Sequence, residues 1–218
     1  MVSAPDRRQY APATERNRDP ILKVLQQVLP PQGTVLEIAS GTGQHCVYFA
    51  PALAPRLWLP SELDPELRAS IVAWQEREPA ANLMAPIALD AGDRPWSIET
   101  GTLPPNCTAA ALQREPISAI IAINLIHIAP WSVGLGLLAG ASRLLPPGGI
   151  LYLYGPFLEP DKPLTPSNLV FHQSLQFRNP AWGLRDLAVV QAAAEAEGLQ
   201  LEQVVPMPVN NLSVIFRN

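Results

Sequence analysis

Apolar positions along the chain fall into short β-rich runs that alternate with helical patterns. The runs are TVLEIA (34–39), RLWLPSEL (56–63), NLMAPIAL (82–89), ISAIIAIN (117–124), GILYLYG (149–155), LEQVVPM (201–207) and NLSVIFR (211–217). Several are apolar almost throughout, as strands buried on both faces are. Helices are expected over 20–29, 44–53, 65–76, 132–144 and 184–196. Pro65 follows Asp64 as an N1 proline follows an N-cap, and Gly198 stands where a C′ glycine closes the last helix. The alternation predicts an α/β fold: a seven-stranded, mostly parallel, Rossmann-like sheet with helices on both faces.

Only PVN (208–210) separates the last two runs, too short for a helical crossover. The last strand is therefore expected to be antiparallel. Open, mostly parallel sheets bind ligands beyond the carboxyl ends of their strands, at the topological switch point, so functional residues are expected just after each strand.

Composition narrows the classes. A chain of 218 residues, 48% hydrophobic and 16% charged, is expected to form a single globular domain over 1–218, with 1–19 an arm or lid and 155–186 a substrate-side insertion. The 25 prolines imply many rigid loops. A net charge of −4 disfavours a nucleic-acid partner. Arg7, Arg8, Arg16 and Arg18 are interleaved with Asp6, Glu15 and Asp19, a mixed-charge segment rather than a basic patch. Cys46 and Cys107 form no metal-binding or disulfide framework, and residues 1–20 do not read as a secretory leader, which gives a cytoplasmic expectation. The most apolar stretch, 119–145, is interrupted by Asn124, His127 and Pro130, and reads as a buried strand and core helix rather than a membrane span.

The candidate chemistry starts where the first strand turns on Gly41, Thr42 and Gly43 into a helix. Glycines there permit a tight turn and close approach of a ligand to the helix N-terminus. Two ligands compete: a dinucleotide, which wants a third small residue where this chain has Cys46, and S-adenosylmethionine (SAM), which needs the turn but brings no pyrophosphate. Glu37, near the end of the strand with Ala39, would repel a pyrophosphate and suits a ligand bearing an ammonium and a sulfonium, unless it is a structural carboxylate. Glu62, followed by Leu63, lies about 20 residues beyond Gly43, the offset of a ribose-hydroxyl acceptor. Asp64 reads as an N-cap. Asp90 and Ala91 end the third strand, where a carboxylate is placed to accept from an adenine amino group.

This set resembles the class I SAM-dependent methyltransferases: the E-x-x-x-G-x-G turn at Glu37, Gly41 and Gly43, acids at Glu62 and Asp90, and a terminal antiparallel hairpin. More closely, the chain resembles the domain-of-unknown-function 938 (methyltransferase-like protein 26) family along nearly its whole length. The stretches that carry this are APATERNRDPIL (11–22), EIASGTGQHCVYFA (37–50), PSELDPELRASI (60–71), INLIHIAPW (123–131), LYGPF (153–157), SNLVFHQSL (167–175), NPAWGLRDL (179–187) and VNNLSVIFR (209–217). The resemblance implies the class I fold and SAM as cofactor, and names no acceptor. Glu62 stands where the common pattern has Asp, and its longer side chain can still chelate a ribose diol.

Methyl transfer from a sulfonium is an in-line displacement to which a protein contributes mainly alignment and exclusion of water, with a general base optional. His127, after the fourth strand, is the candidate base, set against a satisfied histidine under a loop. Asn124 at that strand end is placed to bond cofactor or acceptor. His45 is expected to cover the cofactor. The sequence lacks the D/N-P-P-Y pattern of amino-directed DNA and glutamine methyltransferases, which argues against those acceptors but not against other nitrogen, oxygen or sulfur acceptors; a small molecule is the expectation. Glu15, Arg16 and Asn17 are candidates to fold over the cleft, and Tyr154, Ser167, Asn168, Trp182 and Arg185 to border the acceptor, Arg185 alternatively serving as a helix-start anchor. Two other readings remain: a SAM-binding scaffold without catalysis, and a nicotinamide-dependent oxidoreductase.

Overall fold

The computed structural model describes residues 6–100, 109–159 and 162–218. Cys107 and parts of the expected arm and insertion lie outside them. In chain order the elements are α1 (Pro12–Val28), β1 (Thr34–Ile38), α2 (Gln44–Ala52), β2 (Leu57–Pro60), α3 (Pro65–Arg77), α4 (Ala109–Arg114), β3 (Ile117–Ile123) and α5 (Trp131–Leu144). There follow β4 (Ile150–Gly155), β5 (Phe157–Leu158), α6 (Pro166–Arg178), β6 (Arg185–Asp186), α7 (Leu187–Ala196), β7 (Gln200–Met207), a 3-10 turn (Pro208–Asn210) and β8 (Asn211–Arg217).

The main sheet runs β2-β1-β3-β4-β8-β7. β1 is parallel to β2 and β3, β3 is parallel to β4, and β8 is antiparallel to both β4 and β7. Among the described residues the sheet has six strands, not seven. The run at 82–89 makes only isolated parallel bridges to β2, Trp58 with Leu83 and Ser61 with Ile87. Trp58 N–H donates to Asn82 O and Ile87 N–H to Pro60 O, but Pro60 and Pro86 supply no N–H between them, so the ladder breaks.

Side chains alternate between two cores. Val35, Trp58, Ile121 and Ile215 pack with α1, α2 and α3, through Ile21, Phe49 and Ile71. Leu36, Leu59, Ile120 and Val214 pack with α5 and α7, through Leu137 and Val190. α5 comes close because a Cβ on Gly136 would overlap the Ala91 carbonyl, and one on Gly140 would overlap the Trp96 indole. The Asp90–Trp96 segment is thereby pressed onto the helix, with Trp96 fully buried.

Two expectations about helices need correction. α1 starts at Pro12 rather than residue 20, because its buried stripe begins with Thr14 and Asn17 before reaching Ile21, Val24 and Leu25, and an apolar period does not register polar members. Pro20 lies inside the helix. The insertion contains α6, which buries only Leu175 and so has no apolar rhythm. Asp64 does cap α3, accepting from Glu66 N–H at 2.7 Å, and Gly198 follows α7 with φ +88°.

Candidate cofactor and acceptor site

β1 ends in a strained turn. Ala39 has φ +54°, a left-handed conformation costing about 1 kcal/mol in a residue with a Cβ. Gly41 and Gly43 follow with φ +56° and +91°. A Cβ on Gly43 would lie 2.8 Å from Ile71 Cα, so this glycine lets α2 start against α3. A Cβ on Gly41 would meet nothing within 4 Å, so the turn opens there onto free space. Beside that space Glu62 accepts from Gly41 N–H at 2.9 Å and from Asp64 N–H at 3.1 Å. Asp90 accepts from Gly92 N–H at 2.8 Å. Ala91 is buried under α5, and Leu63 is exposed.

Glu37, four residues before Gly41, is buried. Its carboxyl is 1% exposed and accepts from Trp58 Nε1–H at 2.8 Å. Burial pushes its pKa up to about 7, against the Trp58 and Ser40 hydrogen bonds, with Glu62 adding a smaller repulsion. Cys46 is buried too, donating to Gly43 O at 3.0 Å, and burial first and Glu37 second push its thiol pKa well up.

The arm straps the turn from outside. Gln44 Oε1 accepts from Ala11 N–H at 2.6 Å and Thr42 Oγ1–H at 3.1 Å. Gln9 N–H donates to Ser70 Oγ at 2.8 Å, and the Ser70 hydroxyl donates to Thr42 O at 2.8 Å. The arm thus reaches the glycine turn through two polar links. Trp74 Nε1–H donates to Gln9 O at 3.0 Å, and Tyr10 packs edge-on against Trp74.

Beyond the ends of β3 and β4 lies a cavity of about 450 Å³. Arg16 and Asn17 of α1, Asn124 and His127 after β3, Tyr154 of β4, and Ser167, Asn168 and Phe171 of α6 contribute to its lining. Asn124, like Ala39, takes a positive φ of +56°, and its N–H donates to Tyr154 O. His45 and Asn17 share a 2.8 Å hydrogen bond; burial first and Arg18 second hold the His45 pKa down to about 3. Burial raises the Tyr154 pKa, opposed by hydrogen bonds from Asn17 and Asn211.

His127 is 3% exposed and stands edge-on to Phe171. Its Nδ1 is buried without a partner, and its ring lies so close to Gly155 that a Cβ there would come within 2.9 Å of Cε1. Burial, with the nearby Arg185 charge second, brings its pKa down to about 4, which keeps the ring neutral near pH 7.

Glu15, Trp182 and Arg185 are not among the lining residues. Glu15 is exposed, and Trp182 lies under the Arg178 guanidinium at 5.2 Å. Arg185 donates to the carbonyls of Ile126 (2.9 Å), Ala129 (2.6 Å) and Ala181 (2.8 Å), and so pins the loop that carries His127. Pro208, Val209 and Asn211 of the hairpin complete the wall, a contribution that residue-by-residue reading missed. The signal was present: if β8 is antiparallel, the turn leading into it must fall at the carboxyl edge of the parallel strands. Among the described residues no group of three or more His, Cys, Asp or Glu is arranged to hold a metal ion, and no helix is long and apolar enough to cross a membrane.

The family described as "Protein of unknown function (DUF938)" matches residues 8–218. Among solved structures, human N-acetylserotonin methyltransferase in complex with SAM superposes with a TM-score of 0.72 at 13% identity, over 94% of this chain and 52% of that one. The mitomycin 7-O-methyltransferase MmcR gives 0.73 at 14% identity, over 94% and 54%. An O-methyltransferase family 2 protein from Planctomyces limnophilus, complexed with apigenin, gives 0.72 at 16% identity, over 94% and 60%. The chain thus has the class I methyltransferase fold, and spans little more than half the length of these proteins.

Proposed function

The chain belongs to the DUF938 family, and from that premise and the cleft just described we propose that it is a SAM-dependent methyltransferase acting on a small molecule. The observation that carries the reading is that an open glycine turn, a carboxylate bonded to that turn and a separate 450 Å³ cavity beyond β3 and β4 all lie past the carboxyl ends of the parallel strands. The donor set suits SAM: Glu62 and Asp90 are carboxylates, the nearby Arg68 guanidinium is engaged by the Glu62 and Leu63 carbonyls at 2.7 and 2.6 Å, and the space over Gly41 leaves room for a ligand against the main chain.

Bound SAM would supply a methyl group on a positively charged sulfur, which passes to an acceptor heteroatom while the C–S electron pair stays with sulfur. In this reading Glu62 would hold the ribose hydroxyls, Asp90 would accept from the adenine amino group, and Asn124 would bond cofactor or acceptor. The walls from α1, α6 and the hairpin keep water from the reacting centre. His127 Nδ1 is closed off against Gly155, which leaves Nε2 as the ring nitrogen for an acceptor proton. A hydroxyl becomes strongly acidic as its oxygen is alkylated, so even an imidazole with a pKa of about 4 can take the proton at that moment, the O–H electron pair remaining on oxygen.

Calorimetric titration with SAM and its demethylated product, S-adenosylhomocysteine, tests the assignment. Both should bind the wild type and neither should bind Glu62→Ala or Gly41→Val. Undiminished binding by both variants would reject it. Incubation with methyl-labelled SAM and a metabolite extract should then yield a labelled small molecule; cofactor binding without any labelled product would favour a scaffold.

A further inference from the structure

Charge divides the cleft unevenly. On the side of the glycine turn stand two carboxylates, Glu62 and Asp90, while Arg68 there is held by the carbonyls of Glu62 and Leu63. On the cavity side the lining contains one charged residue, Arg16, and no acid. Arg16 takes part in none of the six ion pairs formed among the described residues. Of the neighbouring cations, Arg18 stacks on Tyr48 at 4.5 Å with its Nε buried and unpartnered, and Arg185 is bound to main-chain carbonyls. The remaining polar lining is neutral, with Asn17, Asn124 and Asn168 prominent, while Ile128, Phe171 and Pro208 give an apolar wall. The volume of about 450 Å³ is that of a small-molecule site.

We propose that the methyl acceptor is a compact anion, an aromatic hydroxy acid whose carboxylate is read by Arg16 while its ring packs on Phe171 and its hydroxyl faces Asn124 and His127. The inference rests on the methyltransferase reading for the word acceptor, and on the cavity alone for the charge. An amine would place a second cation near Arg16 with no carboxylate in the lining to offset it, and a neutral molecule would gain no charge-assisted bond from the guanidinium. A carboxylate meets that guanidinium in a charge-assisted, bidentate geometry. It also complements the positive charge that a sulfonium cofactor brings to the adjoining half of the cleft.

The test uses three probes differing only in the group opposite the hydroxyl: 4-hydroxybenzoate, 4-hydroxybenzamide and 4-hydroxybenzylamine. Each is titrated calorimetrically into the full chain with and without S-adenosylhomocysteine. The benzoate should bind about tenfold or more tightly than the benzamide, with the benzylamine weakest. Arg16→Gln should level the first two, and Arg16→Glu should reverse the order. Arg16 is solvent-exposed, so both variants should fold, with thermal melts matching the wild type. Failure of the benzoate to bind, equal binding of all three probes, tightest binding of the benzylamine by the wild type, or an order unchanged in Arg16→Gln would overturn the proposal. Failure of the methyltransferase reading shows separately, as absence of S-adenosylhomocysteine binding, and leaves the charge preference measurable.

Discussion

Replacing Glu37 by Gln should abolish a specific part of the protein's pH dependence. The carboxyl lies in the core under the glycine turn, accepts one hydrogen bond from the Trp58 indole, and has its pKa moved from 4.5 to about 7 by burial. Because the folded value is the higher one, the folded protein holds this proton more tightly than the unfolded chain. The stabilisation is fully present below pH 4.5 and is lost as pH rises through 7. Linkage puts the loss at roughly 2 to 3 kcal/mol between pH 5 and pH 8. Gln is nearly isosteric and keeps an oxygen for the indole N–H, so the variant should lack that loss. Urea unfolding of both proteins at several pH values between 5 and 8 measures the difference, and extrapolated stabilities should diverge in favour of the variant by roughly 2 to 3 kcal/mol across the range. His45 and His127, whose buried rings oppose protonation at acid pH, act in both proteins and cancel. Parallel stability curves for the two proteins would refute the reasoning, since they would mean a carboxyl whose ionisation is indifferent to folding.

Three further outcomes are expected. Gly43→Ala should destabilise by about 2 kcal/mol or more because its Cβ would press on the Ile71 main chain, whereas Gly41→Ala should cost about 1 kcal/mol for its backbone alone yet lose cofactor binding; urea melts and calorimetry separate the two. Asp64→Ala should cost about 1 kcal/mol in thermal or urea unfolding, through loss of the cap on α3, and Asp64→Asn should restore most of it. Arg185→Lys, whose ammonium cannot span three carbonyls as the guanidinium does, should speed hydrogen exchange of the loop from Leu125 to Ala129 without unfolding the sheet, and unchanged exchange would show that other contacts hold the loop.

What the sequence made legible was whatever is written locally. Apolar runs located five of the main-sheet strands closely and β2 within a longer run, and the spacing of Gly41 and Gly43 located the turn because φ and close packing are decided at those residues. The antiparallel ending followed from a three-residue connection. Features decided by distant partners were not legible. Glu37 sits beside the turn in sequence, but β1 is buried on both faces, so no alternation says which way its carboxyl points; that depends on Trp58 arriving from β2 in register. The first half of α1 and all of α6 escaped because the one buries Thr14 and Asn17 and the other barely buries anything. The interrupted 82–89 ladder escaped because its apolar pattern is that of a strand while its prolines withhold the donors. For the site, strand-end logic brought Asn124, His127 and Tyr154 to one cavity with Arg16 and Asn17, but which charged side chains already have partners, as Arg185 does, needed three dimensions.

The placement of β8 between β4 and β7 bears on how the molecule is made. During synthesis β7 emerges before β8, the strand it pairs with, and β4 waits through more than fifty residues for its second neighbour. Both therefore hold unpaired edges until the segment from Asn211 to Arg217 has cleared the ribosome exit tunnel. A nascent chain halted before that point keeps half a sheet open to other chains, and stalled translation there is where chaperone dependence should concentrate.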